Sequence, residues 1–112
     1  MRKYFQTTTA VAGVLALGWC AFGAAKPGNV AKGKDVFDTH CAVCHNADSA
    51  EKKMGPGLKG LFKKAAMANK KKPTEPNVTS MIDKGSEAGM LAFADMLTDQ
   101  EKADLIAYLK TL

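Results

Sequence analysis

Five consecutive residues, Cys41-Ala42-Val43-Cys44-His45, carry the densest chemistry in the chain: two thiols three positions apart, followed at once by an imidazole. On a helical turn that spacing puts both sulfurs on one side, within reach of the two vinyl groups on one edge of a porphyrin. The next residue then points toward the metal. This C-x-x-C-H run is the covalent haem attachment signature, so Cys41 and Cys44 are expected to form thioethers to one haem and His45 to bind its iron. Three other uses of these residues compete. A redox dithiol would want a strand and a crossover helix around it, and the flanks show neither. A disulfide between Cys41 and Cys44 would close a loop too short to stabilise much. A zinc site would have to draw on His40, Cys41, Cys44 and His45, and four ligands within six residues of one helix cannot surround a tetrahedral ion.

Iron-bound histidine is neutral, and its other ring nitrogen needs an acceptor that fixes tautomer and orientation. A backbone carbonyl from the loop at Gly55-Pro56 is a natural candidate. His40 directly precedes Cys41 and lies on the same side of the haem plane as His45, so it is expected at the surface or the haem edge rather than as a second ligand.

The elements that must position these groups read as helices. Asn29 can cap a helix running through the motif, with Val30, Gly33, Phe37 and Cys41 on one face. Gly33 within it costs about 1 kcal/mol relative to alanine, which points to close approach of another element. The last helix opens with Thr98-Asp99-Gln100-Glu101, a capping box, and continues with an apolar stripe of Leu105, Ile106, Tyr108, Leu109 and Leu112. Asp99 and Lys110 suit the two ends of its dipole. Between them the sequence predicts a loop over Asn46 to Gly57, a short helix from Leu58 to Met67, a lysine-rich turn ending at Pro73, and a helix from Glu75 to Lys84 that stops at Gly85. Apolar and polar residues do not alternate, so no sheet is expected and the fold class is all-α.

The 112 residues leave room for one domain. Residues 1–25 read as a signal peptide: Arg2 and Lys3 precede an apolar stretch from about Ala10 to Phe22, and the small residues Gly23, Ala24 and Ala25 follow. Cleavage is expected after Ala25. An uncleaved membrane anchor is the alternative, but it needs about 20 apolar residues and this stretch is shorter. Cys20 follows the bulky Trp19, which argues against lipidation, and is expected to leave with the signal. Residues 26–112 then form the domain, with 14 basic and 11 acidic residues and a charge of +3. That is too little for a nucleic-acid binder, which would show a concentrated basic stripe interleaved with aromatics. So small a domain usually benefits from a large apolar ligand or another staple.

Beyond the haem motif the chain carries Gly33 and Phe37, Gly55-Pro56-x-Leu58-x-Gly60-Leu61-Phe62, Met90-x-Ala92-Phe93 and Asp104-Leu105-Ile106-Ala107-Tyr108-Leu109. In this ordered set residues 29–112 resemble a class I cytochrome c of the small bacterial kind. The resemblance implies three to four helices packed around one covalently bound haem c. It implies that the first and last helices cross at right angles, with Gly33 giving room for Leu105 or Tyr108, and that the Pro56 carbonyl accepts from His45. It also implies a methionine in the loop before the last helix as the sixth iron ligand, which by position is Met90. The residues agree. Met90 lies eight positions before Thr98 and follows Gly85 and Gly89, so its loop can swing over the haem face opposite His45. Met96 is too close to the last helix, Met81 falls on a helical face suited to core packing, and Met54 and Met67 flank the proximal segment. Leu91 stands where many members have proline, so the ligand loop is expected to be less rigid. The only tryptophan is Trp19, which leaves no indole for a haem propionate.

A histidine and a thioether fill both axial positions of the iron and leave none for substrate. The implied function is a single-electron carrier in the periplasm, not an enzyme, working between redox partner proteins. Lys52, Lys53, Lys59, Lys63, Lys64, Lys70, Lys71 and Lys72 make up half of the 16 basic residues. Facing an acidic partner they would speed encounter; alternatively they only solvate a helix and a turn. Two other functions stay open: a haem enzyme or gas sensor in which Met90 binds weakly, and a subunit docked permanently on a larger complex. A membrane would be met only through such a complex or an uncleaved anchor.

Overall fold

The computed structural model describes residues 26–112; the expected signal peptide, its cleavage point, Trp19 and Cys20 lie outside them. Among these residues three helices occur in the order α1 (Val30–His40), α2 (Glu75–Lys84) and α3 (Asp99–Leu109), with a single 3-10 turn at Leu61–Lys63 between α1 and α2. Among the described residues there is no strand.

Each helix starts where a side chain satisfies a free backbone donor. Asn29 Oδ1 accepts from the Lys32 N–H at 3.0 Å, Thr74 Oγ1 accepts from Asn77 N–H at 3.3 Å with Pro76 in the first turn, and Thr98 and Glu101 form the full capping box. α2 stops at Gly85, whose φ of +69° an L side chain would strain. Two expectations fail. α1 does not run through the haem motif: it ends at His40, because the N–H groups of Cys41 and Ala42 both turn to the Phe37 carbonyl. The helix expected from Leu58 to Met67 shrinks to the turn Leu61–Lys63, entered through left-handed Gly60 and left through extended Lys64. Only Leu61 within that turn is buried, and an isolated helix with so little to bury has nothing to offset its nucleation cost.

α1 packs chiefly on α3, so the two ends of the domain meet. Gly33 permits this, since a Cβ there would stand 1.9 Å from the Asp104 carbonyl oxygen and 2.8 Å from Tyr108 Cβ. The close approach expected at Gly33 is therefore to the Asp104 backbone and to Tyr108, not to Leu105. Phe37 and Tyr108 stack at 5.5 Å and 56° beside it. Gly33→Ala is expected to cost roughly 1–3 kcal/mol by overpacking, read as a lower denaturant midpoint, because the atom in the way is main chain and cannot swing aside.

The segment before α1 lies across the same face of α3. Asn29 N–H donates to Asp104 Oδ1 at 2.7 Å and Gln100 Nε2 donates to the same oxygen at 3.0 Å; Asp104 is only 3% exposed. The Asn29 N–H above all, then the Gln100 amide, holds this carboxyl below the ordinary carboxylate range. Its contribution to stability is complete above the unfolded value of about 4 and is lost as pH falls through the lowered folded value. Asp104→Asn should therefore melt lower than wild type at pH 7, with the gap narrowing as pH falls below the ordinary carboxylate range. α2 joins α3 through ion pairs. Lys102 Nζ sits 2.9 Å from Asp83 and 3.7 Å from Asp99, and Lys110, instead of only serving the α3 dipole, reaches Glu75.

The buried core is small: Phe37, Leu61, Val78, Ile82, Phe93, Leu97, Leu105, Ile106 and Leu109. Around it Cys41, Ala42, Ala47, Leu58, Phe62, Met67 and Met90 pack with one side on the core while the other stays partly exposed.

Candidate functional site

The haem motif is a turn locked from several directions. Cys44 N–H and His45 N–H both donate to the Cys41 carbonyl, at 3.1 and 2.9 Å. The next loop then clasps the turn: Gly55 N–H donates to the Cys44 carbonyl at 2.8 Å and Lys53 Nζ donates to the Ala42 carbonyl at 2.9 Å. Cys41, Cys44 and His45 are all half-buried, and both thiols are free. Burial first, and then the neighbouring Cys44, push the Cys41 thiol up to about 11. An uncharged sulfur suits that position, which favours a thioether over a metal thiolate.

His45 Nδ1 lies 2.8 Å from the Pro56 carbonyl oxygen. A carbonyl only accepts, so Nδ1 carries a proton, and it is the Nε2 lone pair that the neutral ring offers to a metal. The ring has no slack: a Cβ on Gly55 would stand 2.5 Å from Cε1, 2.9 Å from Nδ1 and 3.0 Å from Nε2. The structure thus brings Cys41, Cys44, His45 and Pro56 into one turn and its clasp, while Met90 arrives on a separate loop between α2 and α3. That loop leaves and returns at the end of α2, through Gly85 N–H to the Met81 carbonyl at 2.8 Å and Phe93 N–H to the Ile82 carbonyl at 2.9 Å.

Among the methionines, Met90 and Met67 pack half-buried against the core, whereas Met54 and Met96 are exposed. Met54 Sδ rests 3.9 Å from Cys44 Sγ. Met81, expected in core packing, is half-buried on α2 and lies outside the core cluster, to which α2 contributes Val78 and Ile82. His40 stands at the end of α1 with its ring edge toward Phe93, 6.3 Å between centroids. An open groove of about 540 Å³ lies elsewhere, between Lys26–Gly28, α2 and α3, and no residue of the motif lines it.

Sequence reasoning missed the roles of Lys53 and Lys64. Lys64 Nζ donates to the Gly57 carbonyl at 3.0 Å, so both are turned toward backbone rather than offered to a partner. No local signal marks which lysine in a run will fold back.

The family model described as Cytochrome c matches residues 30–112. This chain belongs to the cytochrome c family. A cytochrome c of Sesamum indicum is 35% identical over 106 residues, covering 80% of this chain and 96% of that protein. One of Ulva intestinalis is 31% identical over 105 residues, covering 80% and 95%. Among solved structures, cytochrome c6 of the diatom Phaeodactylum tricornutum superposes with a TM-score of 0.60 at 27% identity, covering 75% of this chain and 93% of that one. This cytochrome c is accordingly an all-α electron-transfer protein, not an enzyme, that carries one covalently attached haem c and passes electrons to redox partner proteins. Its residues fit that group: two free thiols on one turn, an imidazole held through Nδ1 by a carbonyl, a glycine cradle behind the ring, and an apolar, partly open wall.

Proposed function

We propose that Cys41 and Cys44 hold the haem through thioethers, that His45 Nε2 and Met90 Sδ are its axial ligands, and that the Pro56 carbonyl orients His45. The observation that carries this reading is the 2.8 Å contact of His45 Nδ1 with Pro56, formed next to two free thiols and against a glycine whose missing side chain makes room for the ring. Bound haem supplies a one-electron ferric–ferrous couple. The side chains do the rest. Cys41 and Cys44 fix the position of the porphyrin edge, His45 is held in one tautomer, and Met90 favours the reduced state compared with a second histidine. Ala42, Leu58, Phe62 and Met67 exclude water from the same wall, which also raises the potential. The oxidised wild-type protein should show the near-infrared sulfur-to-iron band and bind carbon monoxide poorly when reduced. A colourless folded chain would end the reading, and ready carbon monoxide binding would favour a gas sensor.

The chain is further read as an exported, freely diffusing carrier in the periplasm, cleaved after about Ala25. The signal-like run of residues 1–25 supports export, and the amino-terminal sequence of the mature protein tests it. Co-purification with a larger complex, or with a membrane through an uncleaved anchor, would favour a docked subunit instead. For docking, the turn around Lys70, Lys71 and Lys72 is the better part of the lysine cluster: all three are exposed and none donates a side-chain bond, unlike Lys53 and Lys64. Changing these three to glutamine is expected to slow electron exchange with hexacyanoferrate, an anionic probe, by about tenfold at low salt and to flatten its dependence on ionic strength. Unchanged rates and salt slope would remove them from the docking face.

A further inference from the structure

The loop that delivers Met90 is closed on itself by one residue. Ser86 N–H donates to the Met90 carbonyl at 3.0 Å, and Met90 N–H donates to Ser86 Oγ at 3.3 Å. Both main-chain groups of Met90 therefore meet the same residue, and among the described residues no other acceptor takes the Met90 N–H. Gly89 N–H adds a third bond, to the Ser86 carbonyl at 3.1 Å. The fold enforces this closeness. Gly85 has φ +69°, and a Cβ on it would stand 2.2 Å from the Met90 carbonyl oxygen, so the loop lies directly on its own entry point. On the other side of Met90 the Leu91 side chain is 68% exposed, and its main chain lies against Gly85, where a Cβ would stand 2.9 Å from the Leu91 carbonyl carbon.

We propose that Ser86 is a positioning residue for the Met90 ligand, its hydroxyl fixing the Met90 amide and so the direction in which the thioether leaves the loop. This rests on the reading of Met90 as an axial ligand. The hydroxyl is the control point because it meets the ligand residue itself, whereas the anchors at Gly85 and Phe93 bind only the ends of the loop. Ser86 and Met90 are both half-buried, so water competes only partly for the Met90 N–H once the hydroxyl is gone.

The test uses mature, haem-loaded protein and titrates oxidised samples with imidazole, which displaces a thioether from iron, following loss of the near-infrared band. Ser86→Ala is expected to reach half-displacement at about fivefold lower imidazole, the factor that corresponds to one lost hydrogen bond of about 1 kcal/mol. The helical melting temperature should stay within the spread of repeat wild-type measurements. Ser86→Thr, which keeps the hydroxyl, should restore the wild-type midpoint. Ser86→Cys, with a weak acceptor of similar shape, should fall between them and carries the test if the alanine variant does not mature. An unchanged midpoint in the alanine and cysteine variants overturns the proposal, as does a lowered midpoint that Ser86→Thr fails to rescue. Met90→Ala separates the two readings: if it keeps the band, the ligand assignment itself is wrong, and if it loses the band while Ser86 variants titrate as wild type, only the role of Ser86 falls.

Discussion

Met90→Ala should abolish the near-infrared sulfur-to-iron band, open the sixth position to carbon monoxide, and lower the reduction potential by a sizeable part of the roughly 0.8 V over which axial ligands move haem potentials. The size of the effect follows from the local chemistry. No other half-buried methionine shares the loop, and its neighbours Gly89 and Leu91 offer iron no ligand. Loss of the sulfur also admits water to a wall that is otherwise apolar, and both changes favour the oxidised state. The informative comparison is Met67→Ala, because Met67 is the other methionine packed half-buried on the core. If the band survives in Met90→Ala and disappears in Met67→Ala, the assignment moves to Met67.

Gly55→Ala should be the most damaging single-methyl change at the site. The added carbon would lie 2.5 Å from His45 Cε1 and 2.9 Å from Nδ1, closer than side-chain atoms approach, so either the ring or the clasp must move. Moving the ring breaks its 2.8 Å contact with the Pro56 carbonyl; moving the clasp breaks the 2.8 Å bond from Gly55 N–H to the Cys44 carbonyl. Disturbing the partner of a metal-bound histidine typically costs about 10–100-fold in metal affinity. The expected signs are a large high-spin fraction in the oxidised spectrum and release of the proximal ligand at lower guanidinium concentration than in wild type. A variant with wild-type spin state and midpoint would show that the cradle behind His45 is not needed.

Much of this architecture is legible in the residues, for reasons that differ from place to place. α2 begins and ends where the sequence predicts and α3 begins there, because Thr74, Gly85, Thr98 and Glu101 act locally and their chemistry does not depend on the rest of the fold; α3 stops at Leu109, short of the Leu112 that its apolar stripe included. The contact of His45 with Pro56 is legible for a similar reason, since a short loop can return only so far. The end of α1 is not: nothing around His40 marks a stop, and the turn that ends the helix is made by main-chain bonds to Phe37. The helix expected from Leu58 to Met67 fails because its apolar residues have no long partner to pack against. Gly33 advertises a close neighbour, but that neighbour is a carbonyl, which looks the same in every residue. Asp104 was legible only as part of a motif; its burial depends on Asn29, some seventy residues away. Ser86 resembles any polar loop residue until its hydroxyl is seen at the Met90 amide.

The pairing of α1 with α3 also sets an order of events. A chain made or exported amino-terminus first has its cysteine pair in hand well before it possesses the surface on which Gly33 rests. Until Asp104 and Tyr108 have emerged, the first helix has no lasting companion and the turn at Cys41 no reason to settle. During that interval both sulfurs are open to solvent; afterwards Cys41 is partly walled in. Late closure of the fold thus gives cofactor insertion a window that an early, locally stable amino-terminal half would have shut.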